Sequence, residues 1–333
     1  MKKNLLLLFL TFLLNLFNAQ TITFISEKTN KPLPKVSVFA KDGSIVAYSD
    51  IDGKIDKQLL KPEQEKFQLV YDNVSVATLS YSDFDKDIIK IDNRIKDIEA
   101  VVIKNNKPAK YIVIKGNFNA YVTVNNKPKS YADGIITYIF DNKTKKLKST
   151  NVEQYRIFSL QTEMDRTFLS YTAGLEIPKL KYVGNPEEYK SGKNNIKELN
   201  GDKSDQVEII DRVGSEKGST LFGITIYDFK KIINLSFEKE SGKTLREFLE
   251  YSDVRYSKIK YKEKPDPDQL ALYNNFYVTE FSFSNDKDIN NVRFNKSSSN
   301  YKTSYWQDPS FPNMQTVFSS YFKSDLKEKP NEM

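Results

Sequence analysis

Apolar and polar residues alternate with a period of two along most of this chain. Ile22 and Phe24 face one way, Thr21 and Thr23 the other. After Pro32-Leu33-Pro34 the pattern returns at Val36, Val38 and Ala40, then at Ile45 and Ala47. It continues at Phe67, Leu69 and Tyr71, at Val74 and Val76, at Ile89 and Ile91, and closes at Val101-Val102-Ile103. Successive side chains of an extended backbone point to opposite faces, so this alternation predicts half-buried strands. Turn-forming residues recur about every 8–12 positions, the spacing of an antiparallel sandwich. Asp50-Ile51-Asp52-Gly53 is one such turn, with Gly53 free to take positive φ. A full calcium loop of the EF-hand kind needs a Glu twelve positions in, and Lys61 stands there.

Lys104-Asn105-Asn106-Lys107-Pro108-Ala109-Lys110 is polar and aperiodic, and 105–110 reads as a linker. Alternation then resumes, with Ile112, Ile114, Phe118, Ala120, Val122 and Val124 on one face. Asn125-Asn126-Lys127-Pro128 and Asp133-Gly134 read as turns. Residues 135–140 and 155–160 read as strands, as do Val207, Ile209 and Ile210; 221–237 reads as a strand pair. Gly184-Asn185-Pro186 and 191–195 suggest a long loop, with further breaks at 199–204 and 214–218. Leu245, Phe248 and Leu249 stand at i, i+3, i+4, which predicts a short helix over 244–251. Pro265-Asp266-Pro267-Asp268 reads as a helix start with 270–275 behind it, followed by a strand over 276–283. Residues 314–322 fit a helix or a strand, and 325–333 a flexible tail. The expected fold is all-β and mainly antiparallel. It has an N-terminal β-sandwich over 21–104 and a larger β-rich domain over 111–324, with a curved antiparallel sheet and a few short helices.

The first twenty residues differ from the rest. Lys2 and Lys3 precede an apolar run of 13 residues from Leu5 to Phe17, and small Ala19 follows. This is the pattern of a secretory signal peptide over 1–20, and the run falls short of the roughly 20 residues of a spanning helix. The mature protein is therefore expected in the periplasm, at the outer membrane or outside the cell, without a transmembrane helix.

Composition narrows the chemistry. The chain of 333 residues has no His and no Cys. Catalytic triads built on histidine, thiolate nucleophiles, disulfides and His- or Cys-ligated metals are thereby excluded. No cofactor is expected. The 22 Phe and 20 Tyr mean that aromatic rings build much of the core. The formal charge of +7 is interspersed, and a nucleic-acid partner is not expected of an exported chain so modestly charged. Lys143, Lys145, Lys146 and Lys148, beside Asp141, read as a solvated hairpin tip. Carboxylate chemistry survives the exclusions, but Glu187, Glu188, Asp202 and Asp205 lie in segments that read as polar loops. Ser-x-x-Lys occurs at Ser236, Ser257, Ser284, Ser299, Ser320 and Ser324, too often in a lysine-rich chain to carry weight. Gly192-Lys193 and Gly242-Lys243 lack the upstream glycine of a phosphate loop. Trp306 with Tyr301 and Tyr305 reads as packed core or interface, or as a sugar-stacking platform. No catalytic, cofactor or metal residue is assigned.

Three segments in order resemble carboxypeptidase-regulatory-like domains. Thr29-Asn30-Lys31-Pro32-Leu33-Pro34-Lys35-Val36-Ser37-Val38 resembles their opening motif, and Tyr48-Ser49-Asp50-Ile51-Asp52-Gly53-Lys54-Ile55 their Asp/Gly turn. Asp97-Ile98-Glu99-Ala100-Val101-Val102-Ile103 resembles their closing strand. The chain departs from the pattern at Lys35, where glycine is usual, at Ile22-Thr23-Phe24, and around 75–80. The resemblance implies a transthyretin-like seven-stranded sandwich over 21–104 without a catalytic site. It also implies an accessory role beside other envelope proteins of Gram-negative bacteria. The expected function is non-catalytic binding or bracing, with another envelope protein or a polysaccharide as partner. A carboxylate-based polysaccharide hydrolase in the second domain is the alternative.

Overall fold

The structure, a computed structural model, describes residues 20–93, 101–104, 107–160, 174–184, 186–190, 195–211, 218–221, 223–262, 264, 266–286, 293–320 and 326–330. Several sequence expectations lie outside these residues. They are the signal peptide over 1–19, Asp97 to Ala100 of the closing motif, Gly192-Lys193, Ser324 and most of the breaks at 191–195 and 214–218.

Seven strands build the N-terminal domain: β1 (Thr21–Ser26), β2 (Ser37–Ala40), β3 (Ile45–Tyr48), β4 (Lys54–Asp56), β5 (Lys66–Tyr71), β6 (Val74–Ser80) and β7 (Ile88–Ile91). They form two sheets, of order β4-β1-β7 and β3-β2-β5-β6. Ile22, Phe24, Val38, Phe67, Leu69 and Ile89 face inward and close one core with Phe84. The rings of Phe67 and Phe84 meet edge to face at 5.2 Å. Gly53 holds φ +71°, and a Cβ there would lie 2.4 Å from the Phe24 carbonyl oxygen, so the expected turn requires glycine. The β5–β6 hairpin turns through Asp72 and Asn73, with φ of 51° and 61°. Two consecutive residues of positive φ make the hairpin turn whose twist matches its strands, and Asp and Asn tolerate it.

The closing strand of this domain departs from expectation. β8 (Val102–Lys104) leaves the sandwich and pairs in parallel with residues 280–282 of the second domain. Alternation marks a strand but does not say which sheet receives it.

The second domain is one large sheet. Its strands are β9 (Tyr111–Val124), β10 (Lys127–Asp141), β11 (Leu147–Leu160), β12 (Asn195–Asn200), β13 (Ser204–Asp211), β14 (Ser219–Leu221), β15 (Ile224–Glu238), β16 (Phe248–Tyr261), β17 (Asp268–Ser284) and β18 (Leu326–Glu328). The order is β12-β13-β15-β16-β17-β9-β10-β11-β18, with β14 on β15 and β8 on β17, eleven strands in all. Register shifts at Ile135/Ile136, Asp228/Lys230 and Val278/Glu280 mark bulges, which bend strands. Two short helices, α1 (Pro186–Lys190) and α2 (Met314–Ser319), accompany the sheet.

Both faces of the sheet are covered. On one face Ile114, Phe118, Tyr138, Phe276 and Phe281 form a core closed by Leu175, Leu180 and Val183, and by Tyr189 of α1. On the other, Val254, Tyr273, Tyr121, Tyr131 and Phe158 receive Phe39, Ile45 and Val70 of the sandwich, with Met314 and Phe318 of α2. Tyr121 and Tyr273 stack at 4.4 Å, and Phe318 meets Tyr121 edge-on at 5.1 Å. Each such ring, fully buried, stabilises the fold by about 1.5–3 kcal/mol. The two domains therefore share a core.

Burial on both faces explains the corrections. Residues 270–275 are not a helix but part of β17, where Leu272 and Tyr273 serve opposite cores and the period of two is masked. The helix expected over 244–251 is a turn leading into β16, with Leu245 and Phe248 drawn into the sheet core. Asp133-Gly134 is not a turn but lies within β10. A Cβ at Gly134 would lie 2.7 Å from the Phe118 ring, so the glycine makes room for that ring. The tail expected over 325–333 contains β18, which pairs with β11 and buries Leu326. The lysine run does cap the β10–β11 hairpin, where Asp141 Oδ1 accepts from the Lys143 and Thr144 N–H groups.

Candidate functional site

Side chains that are register partners stand side by side on one face of a sheet. Three rows run in this way across the face that meets the sandwich. The first is the apolar row Val254, Tyr273, Tyr121, Tyr131 and Phe158. The next is polar: Glu208, Asn234, Ser252, Asn275, Asn119, Asp133 and Arg156, each the partner of the one before. The third is Ser236, Glu250, Tyr277, Asn117, Ile135 and Gln154. The sandwich covers the first row. Four members of the third, Glu250, Tyr277, Asn117 and Ile135, line an open groove of about 740 Å³, within the range of small-molecule sites.

One wall of the groove is the Asp72-Asn73 hairpin tip; the other is the segment 304–313. Asn73 Nδ2 donates to the Tyr277 hydroxyl at 2.9 Å, which seats the tip on the floor. Asn275 Nδ2 donates to Asn119 Oδ1 at 2.7 Å, and Asn119 Nδ2 donates to the Pro312 carbonyl at 3.1 Å, which ties the far wall down. A smaller space of about 90 Å³ adjoins the groove and shares Asp72, Asn73, Glu250 and Tyr277 with it.

Most charges at the site are matched. Lys35 Nζ lies 2.6 Å from Glu250 Oε2, and Lys115 Nζ lies 2.6 Å from Glu153 Oε2. Thr137 Oγ1 donates to the other Glu153 oxygen. Asp133, fully buried, accepts from the Arg156 guanidinium at both oxygens and from the hydroxyls of Tyr131 and Tyr305. Asp72 is different. Desolvation in the cleft and then the Glu250 charge push its carboxyl up to about 6, while Lys35 and Lys203 oppose the shift. Asp72 is nevertheless exposed at the turn, so solvent tempers the effect.

The aromatic trio of the sequence reading is brought together. Tyr301 and Tyr305 meet the Trp306 ring edge to face at 4.7 and 5.2 Å. The Arg156 guanidinium lies 4.2 Å from the Trp306 centroid, so a cation already occupies one face of the indole. Asp50 and Asp52 sit in a turn, as expected, and the turn docks: Lys197 pairs with Asp52 at 2.6 Å, and Glu208 accepts from the Ile51 N–H. Asp205 departs from the loop reading; it is buried in β13 and accepts from the Glu240 N–H. Ser236 and Ser257 of the Ser-x-x-Lys matches are buried within strands. Among the described residues, no group of three or more acidic side chains is arranged to hold a metal.

Asp72, Asn73, Glu250 and Tyr277 were not foreseen as a site. The Asp-Asn pair between two alternating runs signals a hairpin, but nothing in the sequence says which sheet its tip meets.

No family model matches the chain, and no curated protein matches it. Among solved structures, one titled "Lipid-protein interactions in lipovitellin" aligns with 56% of this chain and 27% of that chain, at 6% identity and a TM-score of 0.26. This chain thus spans about a quarter of that one, and a likeness at that level carries no argument.

Proposed function

We propose that the chain is a non-catalytic, exported protein of a bacterial cell envelope that binds or braces a partner through its fused β domains. The groove is the binding site, and the partner is another envelope protein or a polysaccharide. The N-terminal domain, on this reading, is a carboxypeptidase-regulatory-like module. The observation that carries the proposal is the state of the acidic groups. Glu250, Glu153 and Asp133 are each held by a cation, with hydroxyl donors on the last two, which suits a rigid binding surface. The absence of His and Cys supports it.

One observation favours a second reading. Asp72 is raised towards neutral pH beside Glu250, which is ion-paired with Lys35, and a carboxyl raised in this way beside a second carboxyl is the arrangement of a general acid and its partner. A polysaccharide hydrolase would use these two groups.

One set of measurements tests both readings. The purified mature chain is titrated against a panel of neutral, acidic and amino-sugar oligosaccharides, with binding and new reducing ends followed together. Binding without hydrolysis supports the first reading. Hydrolysis abolished by Asp72→Asn and by Glu250→Gln overturns it in favour of the second. Recovery of the protein solely from the cytosol of fractionated cells removes the envelope role.

A further inference from the structure

An open sheet ends on strands that present unpaired backbone groups, and most such edges in this molecule are guarded. β4, β7, β8, β12 and β18 are edge strands, and each carries a lysine. A lysine on an edge strand opposes pairing with another chain. β3 has no charge but is covered: Ile45 packs in the seam between the domains, and its N–H donates to the Asn126 carbonyl at 2.9 Å. β14 has none either and spans three residues. β6 is the exception. It ends the sheet β3-β2-β5-β6, and no strand among the described residues pairs with its outer side. Its seven residues, Val-Ser-Val-Ala-Thr-Leu-Ser, hold no charge, proline or glycine in a chain that is 29% charged. Such uncharged, β-prone runs readily join other strands.

The backbone of β6 has groups to offer. The Tyr81 N–H donates to the Glu65 carbonyl at 3.2 Å. Inward and outward groups alternate along an antiparallel strand, so the Thr78 N–H and C=O point away from β5. The Ser80 N–H points the same way but is taken up by Asp83 Oδ2 at 2.8 Å, which ends the open stretch. A bulge leaves Val76 without a partner on β5 and bends the strand near its start; from Ala77 the register is regular. Ala77 and Leu79 pack against the sandwich core, whereas Thr78 is exposed.

Charge selects the occupant. Copies of a chain carrying +7 repel one another, and self-pairing at a lysine-bearing edge would bring like charges together. Antiparallel self-pairing of β6 opposes only neutral residues, and a two-fold axis presents the same free groups from both sides. We propose that a second copy of this chain docks on β6, strand against strand about a two-fold axis, so that two four-stranded sheets run on as one. One ladder buries little surface, so the association is weak, in the micromolar range. It goes beyond the groove reading and does not depend on it.

Sedimentation equilibrium of the mature full-length chain, at low salt and from micromolar to sub-millimolar concentration, is expected to show a monomer–dimer equilibrium. Thr78→Lys and Thr78→Glu, each alone, are expected to weaken the dimer by about fivefold or more, because like charges then meet across the axis. Thr78 is exposed, so both variants keep the fold. An equimolar mixture of the two is expected to recover association, which general loss of structure in either variant would not give. A parent chain that stays monomeric throughout overturns the proposal and leaves the edge to an extended segment of another protein. Dimers that both variants leave intact, or a mixture no better than the variants alone, overturn pairing through β6.

Discussion

Lys35 of the sandwich and Glu250 of the large sheet form an ion pair, Nζ to Oε2 at 2.6 Å, between side chains only 21% and 12% exposed. Lys35 holds φ +63°, a left-handed backbone that costs a side chain about 1–2 kcal/mol. Glycine is usual at this position in the family the sequence resembles. The lysine thus carries a local strain and gains a bond between domains. Burial alone would lower its pKa, yet Glu250 holds it above the ordinary lysine value.

Lys35→Met is expected to destabilise the protein by about 2–4 kcal/mol, because it leaves the Glu250 charge desolvated and unpaired. Lys35→Gly relieves the backbone and is expected to cost less. Chemical denaturation of both variants measures the difference. A neutral Lys35→Met would show that the pair contributes nothing.

Asp72 is linked to pH in the same direction as Lys35, but nearer neutrality. Its folded pKa, about 6, lies above the ordinary carboxylate value. The native state therefore holds the proton more tightly, and this group's contribution to stability is lost as pH rises from about 4 through 6. Asp72→Asn is expected to melt higher than the parent chain near pH 7.5, and the gap is expected to narrow below about pH 4. Calorimetric melting across that range measures it; a pH-independent gap would reflect turn propensity alone.

Arg156→Met removes the cation from a fully buried Asp133 and from the Trp306 ring. The expected loss is about 3–5 kcal/mol. Trp306 is the only tryptophan, so a change in its emission reports the altered packing directly. Unchanged emission with unchanged stability would contradict the described cluster.

Leu326→Asp is expected to release β18 from β11, at about 2–4 kcal/mol for a charge placed among Tyr131, Phe158 and Phe318. Hydrogen exchange at residues 326–328 tests this, with fast exchange expected in the variant and slow exchange in the parent.

The first domain was largely legible in the sequence because strands such as β1 and β7 bury one face and expose or half-expose the other. Ile22 and Phe24, or Phe67 and Leu69, alternate with exposed or half-buried neighbours, and Gly53 marks its turn. The large sheet was less so. Tyr121 and Val122, or Tyr273 and Leu272, are adjacent residues that serve cores on opposite faces, and the period disappears where both faces are covered. The groove was hidden for a different reason. Glu250, Tyr277 and Asn117 come from three strands distant in sequence, and only strand order brings them into one row.

The aromatic seam between the domains also bears on inheritance. Phe39, Ile45 and Val70 point out of the sandwich into a socket of Tyr121, Tyr273 and Phe318. A generic sandwich spliced onto this sheet would leave the socket wet, and the sandwich expressed alone would bare its three anchors. The sandwich is thus not separable from the sheet as a free module, and substitutions on either side of the seam should be coupled.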